Sequence, residues 1–249
     1  MTIHTQAGQH EAASQPPRRR SRRVILFLRD ILVILLAALV ISFLIKTFLI
    51  RSFFIPSQSM ESTLEVGDRV IVSLLTPSLV PLKRGDVVVF TDPGGWLTSE
   101  NPATTPAQSG WDDALAFVGL TAPNDNDHLI KRVIGLPGDH VECCNAIGQL
   151  LVNGAPISEP YIMLPAGVTQ ADKYSFSVTV PKGDIWVMGD NRYDSADSAY
   201  HEHNHDATPF VPISDVTGTA FVISWPTSRW RWLGNYPLVF QDVDQKYTK

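Results

Sequence analysis

The sequence predicts a mainly β, antiparallel domain behind one N-terminal transmembrane helix. Three observations carry this reading. Residues 24–50 form an almost wholly apolar run, interrupted only by Arg29, Asp30 and Lys46. Beyond residue 52 helical periodicity gives way to short β-branched runs. Turn residues punctuate those runs at the spacing that antiparallel strands require.

The elements follow in chain order. Residues 1–17 (MTIHTQAGQHEAASQPP) are polar, lack periodicity and end in a Pro pair, which predicts a disordered tail. Five arginines follow, Arg18, Arg19, Arg20, Arg22 and Arg23, completing a basic tail over 1–23 that is expected on the cytoplasmic side. Residues 24–50 are the expected anchor, and 31–45 within it carry no formal charge. About 20 apolar residues span a bilayer core, and Lys or Arg near the ends can snorkel to the interface. Arg29 and Asp30 are expected near the inner interface, partly neutralising each other. A buried core helix is the competing reading, opposed by the adjacent arginines and the all-round apolar surface. A cleaved signal peptide would need a shorter apolar core and a small-residue cleavage site, whereas Phe48-Leu-Ile-Arg-Ser-Phe-Phe54 follows. Ser21-Arg22-Arg23 is weak as a twin-arginine signal, since the span is long enough for an anchor.

The remainder, 51–249, is expected to be one extracytoplasmic domain. Strands are predicted at 69–73, 86–90, 129–134, 176–180, 185–188 and 217–224. Asn153-Gly154 after Leu150–Val152 and Pro181–Asp184 mark turns. Residues 91–127, rich in Gly, Pro, Thr, Ser and Asn, are too long for an ordinary connection and read as a surface insertion with one helical turn near Asp112–Leu120. Charge is divided unevenly: residues 1–51 carry a net +6 and residues 52–249 a net −11. An acidic body cannot neutralise phosphates, so nucleic acid is excluded as a partner.

The chain has no G-x-S-x-G, no H-E-x-x-H and no phosphate loop, so neither a cofactor nor a metal is expected. His201, His203 and His205 alternate and are followed by Asp206. On a strand they would share a face and could hold a transition metal. Tyr200–Pro209 reads instead as a polar, solvated loop. Cys143 and Cys144 are adjacent; a disulfide between neighbours closes a small ring, and two thiols in a strand are the preferred reading.

Four segments are more specific. They are Phe54-Ile-Pro-Ser-Gln-Ser-Met-Glu-Ser-Thr-Leu64, Arg84-Gly-Asp-Val-Val-Val-Phe90, Lys131-Arg-Val-Ile-Gly-Leu-Pro-Gly-Asp139 and Gly189-Asp-Asn-Arg-Tyr-Asp-Ser-Ala-Asp-Ser198. In this order, behind a single anchor, they resemble the bacterial type I signal peptidases, also called leader peptidases, over roughly residues 24–233. These are membrane-anchored serine endopeptidases with a serine–lysine dyad. The resemblance implies that Ser59 is the nucleophile and Lys131 the general base. It implies that Ser57 helps hold the oxyanion together with the Ser59 N–H, and that Ser195 hydrogen-bonds and orients the lysine. Asp197 and Arg132 are implied as structural supports. Ile55, Pro56, Met60, Leu64 and Ile130 match positions lining shallow apolar clefts, and the implied cleavage follows small-x-small motifs.

The dyad sets a physical requirement. A free Lys has a pKa of ~10.4, so only about one in 2,500 is neutral at pH 7. Burial lowers that value by several units. The apolar neighbours Leu129, Ile130, Val133 and Ile134 are compatible with such burial. Three departures stand out: Ser62 replaces a usual Pro, Tyr193 and Asp194 stand where Asp and Asn are usual, and Ala199 stands where Arg often follows. No reacting group is lost.

Only eight residues separate Ile50 from Ser59. At ~3.3–3.6 Å per residue, Ser59 lies within about 30 Å of the end of the span. A signal peptide emerging from the bilayer would meet it there. Phe53, Phe54, Trp225, Trp230 and Trp232 are candidates for the membrane interface, with core packing as the alternative. The expected partners are signal peptides of exported preproteins and the lipid bilayer, with the protein translocation machinery a candidate. Two rivals remain: a self-cleaving repressor-type serine–lysine peptidase, and an inactive membrane-tethered β module that binds exported proteins.

Overall fold

The structure is a computed structural model that describes residues 18–97 and 127–246. The chain divides into two compact units, residues 1–44 and 45–249. Most of the first is helix α1 (Arg18–Phe48). Leu, Ile, Val and Ala dominate it, with neither Gly nor Pro to break it. Its segment Val24–Ile45 is long and apolar enough to cross a membrane. Arg29 and Asp30 pair within it, Nη2 to Oδ1 2.9 Å. The helix ends at Phe48 rather than at the expected residue 50. Ile50 and Arg51 belong to a strand, because that backbone finds ladder partners in the second unit.

The second unit is built from antiparallel strands. In chain order these are β1 (Ile50–Phe54), β2 (Arg69–Ser73), β3 (Val87–Thr91), β4 (His128–Gly135), β5 (His140–Cys143), β6 (Leu150–Val152), β7 (Ala155–Pro156), β8 (Phe176–Thr179), β9 (Asp184–Met188), β10 (Val211–Pro212), β11 (Val216–Trp225) and β12 (Arg231–Trp232). The larger sheet runs β1-β2-β11-β3-β4-β9-β10, with β12 added to β11; the smaller runs β7-β6-β5-β8. Two short helices follow β9 and close the chain: α2 (Ser198–Asn204) and α3 (Gln241–Lys246).

Strand β3 is buried on both faces, which is why Val87-Val-Val-Phe90 shows no polar alternation. Val87 and Val89 enter one core cluster with Phe53, Ile55, Met60, Leu64 and Ile130. Val88 and Phe90 enter another with Val133, Val187 and Trp96. A third cluster joins Ile134, Trp186 and Met188 of the larger sheet to Val141, Leu150 and Phe176 of the smaller. Thr91 pairs with His128 and Asp92 N donates to Asp127 O at 3.0 Å, and Trp96 is buried in the core, so the start of the expected surface insertion over 91–127 is strand and core rather than surface. The helical turn expected near Asp112–Leu120 lies outside the described residues, as does the tail over 1–17.

Two expectations are corrected, and one open alternative is decided. Cys143 and Cys144 are joined as a disulfide rather than left as thiols. Strand β5 ends at Cys143, so Cys144 is already in the following turn and strand alternation does not separate the two side chains. Tyr200–Pro209 is not all loop. Its first half is the end of α2, with His201 buried, stacked on Trp96 and bonded through Nδ1 to Asp206 Oδ1 at 2.7 Å. Phe53 belongs to the core, whereas Phe54, Trp225, Trp230 and Trp232 remain exposed.

Candidate active site

Ser59 follows β1, where the chain leaves the sheet in consecutive turns. Glu61 N donates to Gln58 O at 2.9 Å and Leu64 N to Met60 O at 2.7 Å. Met60 and Leu64 plug these turns into the core with no exposed surface. Lys131 comes from β4, whose backbone is fixed between β3 and β9. Leu129 and Val133 pack toward one cluster and Ile130 toward another, so the apolar alternation expected of this strand is present.

Lys131 Nζ donates to Ser59 Oγ at 2.6 Å, and the two side chains are 3% and 7% exposed. Burial lowers the Lys131 pKa from its ordinary value to about 8, against the smaller opposing pull of Asp197, Asp190 and Asp194. At pH 7 that leaves roughly one amine in ten neutral, against about one in 2,500 for a free Lys. A neutral amine at hydrogen-bond distance from a hydroxyl can take its proton. Ser57 is exposed, with its Oγ 3.3 Å from Ser59 Oγ.

Gly189 is where the fourth motif touches Ser59. A Cβ there would lie 2.4 Å from Ser59 O and 2.3 Å from Ser195 Oγ, so only glycine admits this approach. Asn191 N donates to Ser59 O at 3.1 Å, and Asn191 Nδ2 to Gln58 O at 3.2 Å. Ser195 Oγ is buried against this point without a hydrogen-bond partner among the described residues. The expected bond from Ser195 to Lys131 is therefore not made here, and the amine is held by Ser59. Asp197 accepts from Gly189 N at 2.8 Å and from Ala199 N at 3.1 Å, so one carboxylate both caps α2 and fixes the glycine.

Beneath the pair lies a buried ionic network. Arg132 forks onto Asp190, Nε to Oδ1 2.8 Å and Nη2 to Oδ2 2.6 Å, and sits over the Tyr161 ring at 4.1 Å. Asp190 also accepts from Thr63 Oγ1, which ties the network to the Ser59 turns. Arg192 pairs with Glu159, Nη1 to Oε2 2.9 Å, and donates to Gly189 O at 3.0 Å. Satisfied on every side, these charges brace the site rather than react. Burial, with Asp197 nearby, raises Asp172 from 3.8 to about 7.

Of the residues expected to touch a substrate, Pro56 is exposed and Ile130, at 8%, lies at the edge of the core that holds Ile55, Met60 and Leu64. The last three can shape a cleft only from behind. Asp190, Asn191 and Arg192 lay inside a motif that was visible, but nothing in it assigned their bonds. Thr63 lay inside the first motif with nothing to assign its bond to Asp190, and Glu159 carried no signal, because their partners are remote in sequence.

The family model "Signal peptidase, peptidase S26" matches residues 28–225. A probable signal peptidase I of Mycobacterium leprae is 38% identical, covering 88% of this chain and 82% of the relative. A signal peptidase I of Mycobacterium tuberculosis is 39% identical, covering 90% of this chain and 80% of the relative. A solved signal peptidase I from Enterococcus faecalis is 24% identical with a TM-score of 0.35, covering 55% of this chain and 95% of that one.

Proposed function

The chain belongs to the S26 signal peptidases, a family of serine endopeptidases, and from this premise we propose that Ser59 and Lys131 form its catalytic dyad. The observation that carries the proposal is the 2.6 Å hydrogen bond between two buried side chains, one of them an amine whose pKa burial has brought to about 8.

Neutral Lys131 takes the Ser59 proton as Oγ attacks the scissile carbonyl. The tetrahedral oxyanion is held by the Ser59 N–H and the Ser57 hydroxyl; one such donor typically contributes about 10²–10³ in rate. The Lys131 ammonium then gives its proton to the leaving amine. Lys131, neutral again, takes a proton from the water that hydrolyses the ester at Ser59. Ser195 is assigned the role of orienting the lysine, which its buried Oγ, without a partner among the described residues, supports.

The substrates are exported preproteins, cut after small-x-small motifs beside Pro56 and Ile130. Residues 24–48 anchor the enzyme in the bilayer, 1–23 remain cytoplasmic, and the body from β1 onward acts outside. The exposed Phe54, Trp225, Trp230 and Trp232 suit an interfacial depth. The protein translocation machinery is a candidate partner. The test is to incubate the detergent-solubilised full chain with a preprotein and locate the cut by mass spectrometry. A single cut after a small-x-small motif, absent with Ser59→Ala, is the expected result. No cut, or an undiminished cut by Ser59→Ala, overturns the proposal.

A further inference from the structure

The turn three residues beyond Ser59 is unusual. Ser62 has φ 85°, in the left-handed region that side chains disfavour. Proline, locked near −65°, could not adopt it. Such a turn needs external support, and the donors come from the far end of the body. Arg231 of β12 donates through Nη2 to Thr63 O and, at 3.3 Å, to Ser62 O. Arg229, two residues earlier, grips the other end of the segment. Its Nε and Nη2 reach Asp68 Oδ1 and Oδ2 at 2.9 and 3.0 Å, and its Nη1 pairs with Glu65. Asp68 is buried and accepts from Glu65 N at 2.9 Å, so it fixes the segment from within. The intervening Trp230 and the following Trp232 stay exposed, while the two arginines hydrogen-bond the 62–68 segment.

We infer that Arg231 is a positioning residue. Its guanidinium holds the left-handed turn at Ser62 and thereby sets Ser59 Oγ at the distance from Lys131 that the reaction needs. The inference rests on the assignment of Ser59 as nucleophile. One guanidinium nitrogen, Nη2, serves both carbonyls, and a lysine ammonium on its shorter stem retains the charge without the same reach, so lysine is an incomplete substitute. Displacing the reacting oxygen by about 1 Å can cost 10²-fold in rate without weakening substrate binding.

The experiment uses the full chain in detergent with a soluble peptide carrying a small-x-small site. Arg231→Ala is expected to lower kcat by roughly 10- to 100-fold with KM little changed. Arg231→Lys should fall in between and serves where the alanine variant folds poorly. Adding Ser62→Gly to Arg231→Ala should restore about tenfold of the loss, because glycine takes the left-handed conformation unaided. Hydrogen–deuterium exchange across residues 57–66 gives a readout independent of activity: protection should fall in Arg231→Ala and return in the double variant. Unchanged kcat and protection in Arg231→Ala, a loss confined to KM, or no rescue by Ser62→Gly would each overturn the inference. An inactive wild type would instead count against the dyad, while the exchange result would still decide the role of Arg231.

Discussion

Lys131 is costly to bury, and that cost is the source of its reactivity. Its pKa falls from 10.5 unfolded to about 8 folded. Between those values the unfolded chain binds more protons than the folded one, so stability rises with pH across that window. Below pH 8 the folded protein carries the full penalty, about 3 kcal/mol for this shift. Lys131→Met should therefore be more stable than wild type at pH 7, and its advantage should shrink as pH rises from about 8 toward 10.5. Chemical denaturation of the two proteins at pH 7 and pH 10 checks the sign. Kinetically, kcat/KM should rise with pH through about 8, where the free enzyme's lysine loses its proton. Asp172, raised to about 7, titrates in a neighbouring range, so the limb should persist in Asp172→Asn if Lys131 sets it. Lys131→Arg should be inactive because guanidinium stays protonated. Adding Lys131→Ala to Ser59→Ala should do little further harm, since residues acting as one unit are non-additive. An acid limb that stays in place when Lys131 is removed would end this account.

Among the elements, the link between α2 and the site is concentrated in Asp197, which accepts from Gly189 N and caps the helix through Ala199 N. Asp197→Ala loses a cap, which should cost about 0.5–2 kcal/mol, and leaves a buried amide unpaired, which should cost about 1–3 kcal/mol. Its melting temperature should fall, and activity should fall further than in variants of equal stability elsewhere, because Gly189 adjoins Ser59 O. Activity falling only in step with stability would reduce Asp197 to a cap. How much of this was legible in sequence differs by element. Strands β2, β3, β4, β8, β9 and β11 were marked by β-branched runs that needed no tertiary information. Strand β1 was hidden because Ile50-Arg-Ser-Phe-Phe54 directly adjoins the apolar span and contains no β-branched run. Helix α2 has seven residues and a polar face; its stability comes from the Asp197 cap and from Trp96 stacking on His201, neither of which has a local signature. Within the site, Ser59 and Lys131 were legible through motifs alone. Their meeting across 72 residues, like the reach of Arg231 to Thr63, is set by sheet order that composition cannot encode.

At the scale of the whole molecule, charge and apolar surface divide the work. Residues 52–249 carry a net −11, so anionic headgroups repel the body while the basic first 51 residues are drawn to them. On the proposed anchored arrangement, adhesion of the body to a bilayer would rest on apolar surface and on the tether. Its exposed aromatic residues include Trp230, Trp232 and Trp225, with Trp230 and Trp232 6.4 Å apart between ring centroids. The tether is sequence-encoded: Val24–Ile45 is long enough to span, and five arginines precede it. Lys and Arg are retained on the cytoplasmic side of a span, which fixes the direction of insertion. The expected topology has the N-terminus inside and residues 51–249 outside, where preproteins arrive with their signal peptides still in the bilayer. Protease added to intact spheroplasts should digest the body and spare an N-terminal tag. Replacing the five arginines by neutral residues should weaken that bias and give a mixed population, since the apolar span alone has no direction. A protected body with a digested tag in the wild type would reverse the topology and remove the catalytic unit from its proposed substrates.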